Sequence, residues 1–124
     1  MTAAPPHVLI LDDDEGIVRL ARRALERAGL RVSATTSAIV AREVLDSGDL
    51  PQLLILDYQL DTAQTGLDFF RHLRRQQGPA AAIPAILVTG FSDESKIIEA
   101  LRAGIADVIP KAGEYLDYLP EAVS

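Results

Sequence analysis

Acidic residues follow the first apolar run of the chain without a break, in VLILDDDEGI at residues 8–17. Further along, Asp57 closes the most apolar run, Thr89 closes another, and Lys111 follows the last one. Crowded carboxylates repel one another, so they either take up protons or surround a cation. Oxygen ligands without His or Cys nearby suit Mg²⁺ best. If these positions meet in space, a carboxylate beside Mg²⁺ and a lysine can attack phosphorus and hold the transferred group.

Apolar periodicity predicts the elements that must position these residues. Short continuous apolar runs alternate with segments of helical i, i+3, i+4 spacing, as is typical of strands buried between helices. The pattern predicts an α/β fold: a doubly wound, five-stranded parallel sheet with five helices. Ligands of such sheets bind beyond the carboxyl ends of the strands, where the residues above fall. The predicted strands are HVLIL, RVSATT, QLLILD, AILVT and ADVIP.

Each of the first four predicted helices has an inward face. Ser37 and Ser92 are suited to cap the second and fourth helices, and Gly29, Gly48 and Gly104 to end the first, second and fourth. The residues expected to face inward are Ile17, Leu20, Ala21, Ala24, Leu25 and Ala28, then Val40, Ala41, Val44 and Leu45, then Leu67, Phe70 and Leu73, and finally Ile97, Ile98 and Leu101.

Composition limits the classes of function. A chain of 124 residues with 48% hydrophobic content suits one compact domain, so residues 1–124 are expected to form a single unit. The absence of cysteine excludes a disulfide framework, thiolate catalysis and cysteine-based zinc sites. A net charge of -6 disfavours direct binding to nucleic acid or an anionic membrane. No segment has the pattern of a targeting or membrane-spanning sequence.

Together these motifs resemble the receiver domain of bacterial two-component response regulators. The resemblance covers essentially the whole chain, and its motifs are highly specific in combination: Asp12 and Asp13 after VLIL, Asp57 in LLILDYQL, Thr89 in ILVTG, and Lys111 after ADVIP. It implies a flavodoxin-like sheet with strand order 2-1-3-4-5 in a cytoplasmic protein.

The resemblance also implies a chemical role for three residues. Asp57 would accept a phosphoryl group from a histidine kinase or a histidine phosphotransfer protein, and Lys111 and Thr89 would contact that group. The domain would catalyse its own phosphorylation and dephosphorylation without a separate substrate. In the family, the fourth and fifth β-α segments carry the signal to a partner.

A metal site is implied in the same way. Mg²⁺ would be bound directly by Asp13, Asp57 and the backbone carbonyl of Gln59, and by Asp12 mostly through water. This agrees with the all-oxygen ligands that the acidic cluster offers.

The chain departs from the family pattern near its last motif. Val108 stands where receivers usually have an aromatic switch residue, and Ala112 stands where they usually have a proline after a cis peptide bond. A cis bond costs about 3 kcal/mol before a non-proline residue and about 1 kcal/mol before proline, so the bond between Lys111 and Ala112 is predicted to be trans. The loop after Asp57 also lacks its usual proline, and Gly66 comes one residue later than is commonest.

The last helix, EYLDYLPEAV at 114–123, leaves two questions open. Its sequence resembles receivers attached to sensor histidine kinases, which predicts that the chain is part of a hybrid histidine kinase or another larger regulator. Pro120 is expected to kink the helix or start a new turn. Four side chains form either a docking or homodimer surface or packing against the sheet: Tyr115, Leu116, Tyr118 and Leu119.

Other functions are compatible with parts of the sequence. Asp12 and Asp14 supply the D-x-D of a phosphohydrolase similar to the haloacid dehalogenase group, although such an enzyme gives LLILD no role. An interaction module of receiver shape that is never phosphorylated is the second alternative. A Rossmann nucleotide-binding domain is disfavoured, because no glycine-rich loop follows the first strand. The arginines around His72 predict a solvated helix face, with an acidic partner as the alternative.

Overall fold

Parallel strands form the centre of the molecule. The computed structural model describes residues 5–60, 64–76, 78–90, 94–111 and 115–123, with the backbone alone at 115, 117, 118 and 121. In these ranges the strands pair in parallel in the order β2-β1-β3-β4-β5, which confirms the predicted sheet. The strands are β1 (His7–Leu11), β2 (Arg31–Thr35), β3 (Leu53–Asp57), β4 (Ala85–Thr89) and β5 (Asp107–Pro110).

Helices cover both faces of the sheet. They are α1 (Glu15–Arg27), α2 (Ala38–Asp46), α3 (Gly66–Arg75), α4 (Glu94–Ala103) and α5 (Tyr115–Val123), with a 3₁₀ helix at Pro79–Ala82. α5 includes Pro120 within its span. The 3₁₀ helix is not among the predicted elements, because a proline after glycine was interpreted only as a helix breaker. Proline also suits the first turn of a helix, since its missing N–H is not needed there.

The ends of the helices follow their predicted signals. The Ser37 side chain accepts a hydrogen bond from the Val40 N–H at 3.3 Å. Gly29, Gly48 and Gly104 lie just beyond helix ends with φ of 89°, 89° and 107°, a left-handed conformation that glycine adopts without a steric cost. The predicted Ser92 cap lies outside the described residues.

Two cores result from the alternation of side chains along the strands. Leu9 and Leu11 of β1 point towards α2, α3 and α4, while Val8 and Ile10 point towards α1 and α5. Leu119 is 1% exposed and belongs to the second core, and Leu116 packs against that core. For these two leucines the packing alternative is therefore correct. The side chains of Tyr115 and Tyr118 lie outside what the structure describes.

Five residues predicted to face inward are instead exposed. Leu20 is 50% exposed, Val40 42%, Ile98 48% and Leu101 49%. Ala28 is also exposed, because it lies just beyond the last residue of α1. The buried stripe of each helix is narrower than predicted: Ala21 and Leu25 define it in α1, Ala41 and Leu45 in α2, and Ala100 in α4. Residues one or two positions away are rotated by about 100° or 200°, which turns them towards solvent. The prediction of inward-facing side chains was wrong at these five positions.

Candidate functional site

The three aspartates after β1 have different environments. Asp12 is 4% exposed, and its Oδ1 accepts a hydrogen bond from the Asp14 N–H at 2.9 Å. Asp14 caps α1, where its Oδ1 accepts from the N–H groups of Gly16 at 2.9 Å and Ile17 at 3.2 Å. Asp13 is exposed. Helix N-termini stabilise negative charge, so the Asp14 carboxylate is used locally and Asp12 and Asp13 remain for the site.

Asp57 is the last residue of β3 and is 4% exposed. Parallel pairing holds the strand on both sides, to β1 and to β4, and the Tyr58 N–H extends the ladder to the Val88 carbonyl at 2.8 Å. The Asp57 carboxylate therefore projects from a rigid strand end.

Lys111 reaches the acidic residues from the far side. Its N–H donates to the Thr89 carbonyl at 2.7 Å, which continues the pairing of β5 with β4 by one residue. Its Nζ lies 2.9 Å from Asp12 Oδ2 and 3.3 Å from Asp57 Oδ2. The ammonium group thus bridges two carboxylates.

The structure brings Asp12, Asp13 and Asp57 into one cluster, with one carboxylate oxygen from each within 4.8 Å of the others. An open cleft of about 430 Å³ adjoins the cluster, and its lining includes Asp13, Asp57, Gln59 and Lys111. Most of the predicted site residues therefore meet at one place.

Thr89 is placed differently from the other site residues. It is 5% exposed at the end of β4, one residue beyond the Val88 that pairs with Asp57. Within the part of the chain that the structure describes, it does not line the cleft. A contact from its hydroxyl to a bound group stays a prediction.

Crowding changes the proton affinity of the site. Burial raises the pKa of Asp57 to about 7 from its ordinary value of 3.8, and the Asp12 charge adds to the increase, as does a hydrogen bond with Asp13. The Lys111 charge opposes this increase without cancelling it. For Lys111, burial lowers the pKa, but the hydrogen bond to Asp12 and the two carboxylate charges outweigh burial and raise it. One lysine is thus insufficient to neutralise the acidic residues.

This arrangement fits a hard divalent cation. The three carboxylates supply only oxygen, and the charge of a cation among them would oppose the effects of burial and of the Asp12 charge, which raise the pKa of Asp57. The same carboxylate, beside a lysine and open to a cleft, is suited to nucleophilic attack on an electrophile that carries negative charge.

Two contacts around Asp57 are not predicted from the sequence. A Cβ added to Gly66 would lie 2.0 Å from the Asp57 carbonyl oxygen, so only glycine allows α3 to begin this close to the strand end. Lys96 of α4 places its Nζ 5.4 Å from the centre of the Tyr58 ring. The sequence holds a signal for the first contact, because Thr65 and Asp68 form a capping box that marks where α3 starts. It holds no signal for the second contact.

Comparison with known proteins agrees with this site. The family model for the response regulator receiver domain matches residues 8–122. Protein PetR of Rhodobacter capsulatus is 40% identical over 114 residues, which cover 92% of this chain and 46% of that protein. The KDP operon transcriptional regulatory protein KdpE of Escherichia coli is 37% identical over 106 residues, covering 85% and 44%. The chain thus spans less than half the length of these two curated relatives.

Solved structures show the same fold. The receiver domain of Francisella response regulator 1452 superposes with a TM-score of 0.82 at 22% identity, covering 95% of this chain and 93% of that one. A response regulator described as putative, from Chloroflexus aurantiacus, gives 0.78 at 26% identity, covering 96% and 97%. The chain belongs to the response regulator receiver domain family, which confirms the resemblance drawn from its motifs.

Membership in this family argues against the alternative of a phosphohydrolase. Asp14, which the phosphohydrolase alternative requires in its D-x-D, is engaged in capping α1.

Val108, at the position of the usual aromatic residue, is half-buried and packs against the core beneath α2, α3 and α4. The predicted trans bond between Lys111 and Ala112 lies outside the described residues.

Proposed function

We propose that this chain is a phosphoacceptor domain that receives a phosphoryl group on Asp57 from the phosphohistidine of a histidine kinase or a histidine phosphotransfer protein. One observation carries the proposal. The buried Asp57 carboxylate lies in a cluster with Asp12 and Asp13, 3.3 Å from the Lys111 ammonium, beside an open cleft.

The transfer exchanges one bond to phosphorus for another. An Asp57 carboxylate oxygen forms a bond to phosphorus as the phosphorus–nitrogen bond of the donor breaks. The imidazole leaves with the electron pair of that bond and takes up a proton. Asp57 must be ionised to attack, so the effects of burial and of the Asp12 charge, which raise its pKa, have to be offset first.

Lys111 is placed to contact the site both before and after phosphorylation of Asp57. Its Nζ is held by Asp12 at 2.9 Å and lies slightly farther from Asp57, at 3.3 Å. Once Asp57 is phosphorylated, the contact with Asp12 keeps the ammonium group beside the phosphoryl oxygens. Positive charge at that position stabilises the acyl phosphate and the transition states on both sides of it.

Asp12, Asp13, Asp57 and the Gln59 carbonyl would hold Mg²⁺, which suits the all-oxygen donors of the cluster. When bound, Mg²⁺ neutralises charge on the equatorial phosphoryl oxygens and favours the ionised form of the acidic residues.

We also propose that phosphorylation is transmitted through the fourth and fifth β-α segments. Thr89 and Lys111 lie at the ends of β4 and β5, and a main-chain hydrogen bond of 2.7 Å joins them. The contact between Tyr58 and Lys96 links the residue after Asp57 to α4. With Val108 in place of an aromatic residue, these contacts would carry more of the coupling than a rotating ring.

The wider assignment follows from the relatives and stays a proposal. PetR and KdpE are about twice as long as the matched segment, so we propose that this domain controls an attached output domain or belongs to a hybrid histidine kinase. We place it in the cytoplasm, without direct contact with nucleic acid. No helix in the described residues is long and apolar enough to cross a bilayer. A homodimer through α5 also stays a prediction.

Intact-mass spectrometry tests the proposal. The protein is incubated with Mg²⁺ and a small acyl phosphate, and we expect one added phosphoryl group that hydroxylamine removes. Asp57→Ala should abolish the adduct, whereas Asp46→Ala, at an exposed carboxylate ending α2, should leave it unchanged. If wild-type protein gains no phosphoryl group from any small donor or kinase, the domain is an interaction module that is never phosphorylated.

A further inference from the structure

A second cavity lies away from the strand ends, between α3 and α4. Its volume is about 750 Å³, compared with about 430 Å³ for the acidic cleft. We call it the α3–α4 groove. Four arginines and one glutamate line it, so its formal charge is positive on a chain whose net charge is -6: Arg71, Arg74, Arg75, Arg102 and Glu99.

Not all of these arginines are equally available. Arg71 forms an ion pair with Glu99 at 3.1 Å, which joins α3 to α4. The Arg74 guanidinium lies 4.5 Å from the centre of the Phe70 ring and donates a hydrogen bond to the Ala81 carbonyl. These contacts hold two guanidinium groups in place at one wall of the groove.

Arg75 and Arg102 are the available charges. Both are exposed, and neither has an ion pair with any residue that the structure describes. Arg75 is the last residue of α3, and Arg102 is the last but one of α4. The two arginines therefore lie at corresponding places on the two walls. Planar guanidinium groups bind carboxylates in a bidentate manner, which makes an anionic occupant the natural complement.

The groove also has an apolar part. Ile98 is 48% exposed there, and the half-buried Ala103 lies beside it. Glu99 adds a negative charge to the wall, which disfavours a dense polyphosphate or a nucleic acid backbone. A peptide matches these features better, because it combines carboxylates with an aliphatic side chain. Its N–H groups can also donate hydrogen bonds to the Glu99 carboxylate.

We propose that the α3–α4 groove binds an acidic peptide segment of a partner protein, with carboxylates paired to Arg75 and Arg102 and an aliphatic side chain resting on Ile98. The surface is separate from the acidic cleft, since the two cavities share no lining residue.

Fluorescence anisotropy tests this proposal with a labelled glutamate-rich peptide that carries one central leucine. We expect saturable binding that weakens as ionic strength rises from about 50 to 300 mM, because screening reduces exposed charge pairing. Arg75→Glu combined with Arg102→Glu should weaken binding by at least about tenfold. Ile98→Ala should weaken it by a smaller factor, and a peptide with glutamine in place of glutamate should bind poorly.

The matched control is Arg19→Glu combined with Arg23→Glu, at exposed residues of α1 outside the groove with the same change in net charge. Its affinity should stay within about twofold of wild type. Equal losses in both double variants, or no saturation at up to about 1 mM protein, would overturn the proposal. Tighter binding of inorganic triphosphate or of a DNA oligonucleotide at the groove would also overturn it, as would a wild-type dimer that only the groove variant dissociates.

Discussion

At the scale of single residues, the site is defined by an imbalance of charge. Burial raises the pKa of Asp57 to about 7, the Asp12 charge adds to the increase, and the charge of the Lys111 ammonium group does not cancel it. Lys111 alone therefore leaves the nucleophile partly protonated near neutral pH. A cation in the cluster would complete the neutralisation, which explains how crowded acidic residues can be kept at the end of a buried strand.

Binding of Mg²⁺ should be linked to proton release from Asp57. Because a proton and the metal compete for the same carboxylate, the apparent affinity should fall as pH drops below about 7, by up to about tenfold per unit. Titration calorimetry at several pH values, in buffers of different ionisation enthalpy, measures both quantities. Asp57→Asn should remove the proton release. If the Mg²⁺ affinity is independent of pH between about 5.5 and 7.5, metal binding is not linked to proton release from Asp57.

At the scale of elements, the strand ends and helix starts hold the site together. β3 delivers Asp57, and α3 begins so close to it that the chain has no room for a side chain at Gly66. The capping box formed by Thr65 and Asp68 sets where α3 starts, with both hydrogen bonds at 3.0 Å. A local signal in the loop thus determines how near the helix approaches the nucleophile.

Gly66→Ala should impair the site more than an ordinary change at a helix start. The new Cβ would lie 2.0 Å from the Asp57 carbonyl oxygen, so the backbone of one element must move. We expect a loss of about 2 kcal/mol or more in the free energy of unfolding, with slower phosphorylation of Asp57. Urea unfolding and intact-mass time courses measure the two effects.

Gly16→Ala is the control for that substitution. It also lies at a helix start, but its added Cβ would meet only the Asp14 Oδ1 atom, at 3.2 Å. Stability and phosphorylation should change far less. Similar behaviour of the two variants would show that the close approach of Gly66 has no special importance.

At the scale of the whole molecule, topology assembles the site. The order β2-β1-β3-β4-β5 makes β1 and β3 neighbours, so Asp12 and Asp57 emerge side by side. Lys111 is 99 residues from Asp12 in sequence, and its side chain crosses from the end of β5 to reach both carboxylates. The acidic cleft and the basic α3–α4 groove are separate surfaces of opposite charge on one small domain.

The site should cost the folded protein stability in the absence of metal. The Asp57 pKa is raised on folding, so the wild-type free energy of unfolding should decrease as pH rises from about 4 to about 7 and then level off. Asp57→Asn removes that dependence and should increase stability at pH 8 by about 1–2 kcal/mol, after allowance for solvent screening. Thermal or urea unfolding across this pH range measures the effect.

The corresponding control is Asp46→Asn, at an exposed carboxylate that does not line the cleft. It should follow the wild-type pH profile. Mg²⁺ should reduce the difference between wild type and Asp57→Asn, because it stabilises only the protein with the intact cluster. If Asp57→Asn is less stable than wild type at pH 8, Asp57 does not carry a folding cost.

The sequence by itself determined the parallel sheet and the edge of the sheet at which the site lies. Short continuous apolar runs such as VLIL and LLIL, alternating with segments of helical periodicity, indicate strands buried between helices, and polar residues at the carboxyl ends of parallel strands share one edge of the sheet. Capping by Ser37 and termination at Gly29 were equally local, so they were predicted correctly.

Only the tertiary structure decided which side chains meet and at what distance. Leu20 and Ile98 have the periodicity of inward residues, yet the narrow contact of each helix with the sheet leaves them half exposed. The close approach of Gly66 to Asp57 and the second cavity between α3 and α4 depend on how separate elements pack. Periodicity records the preference of one element for water or core, whereas these features arise from the shapes of two elements in contact.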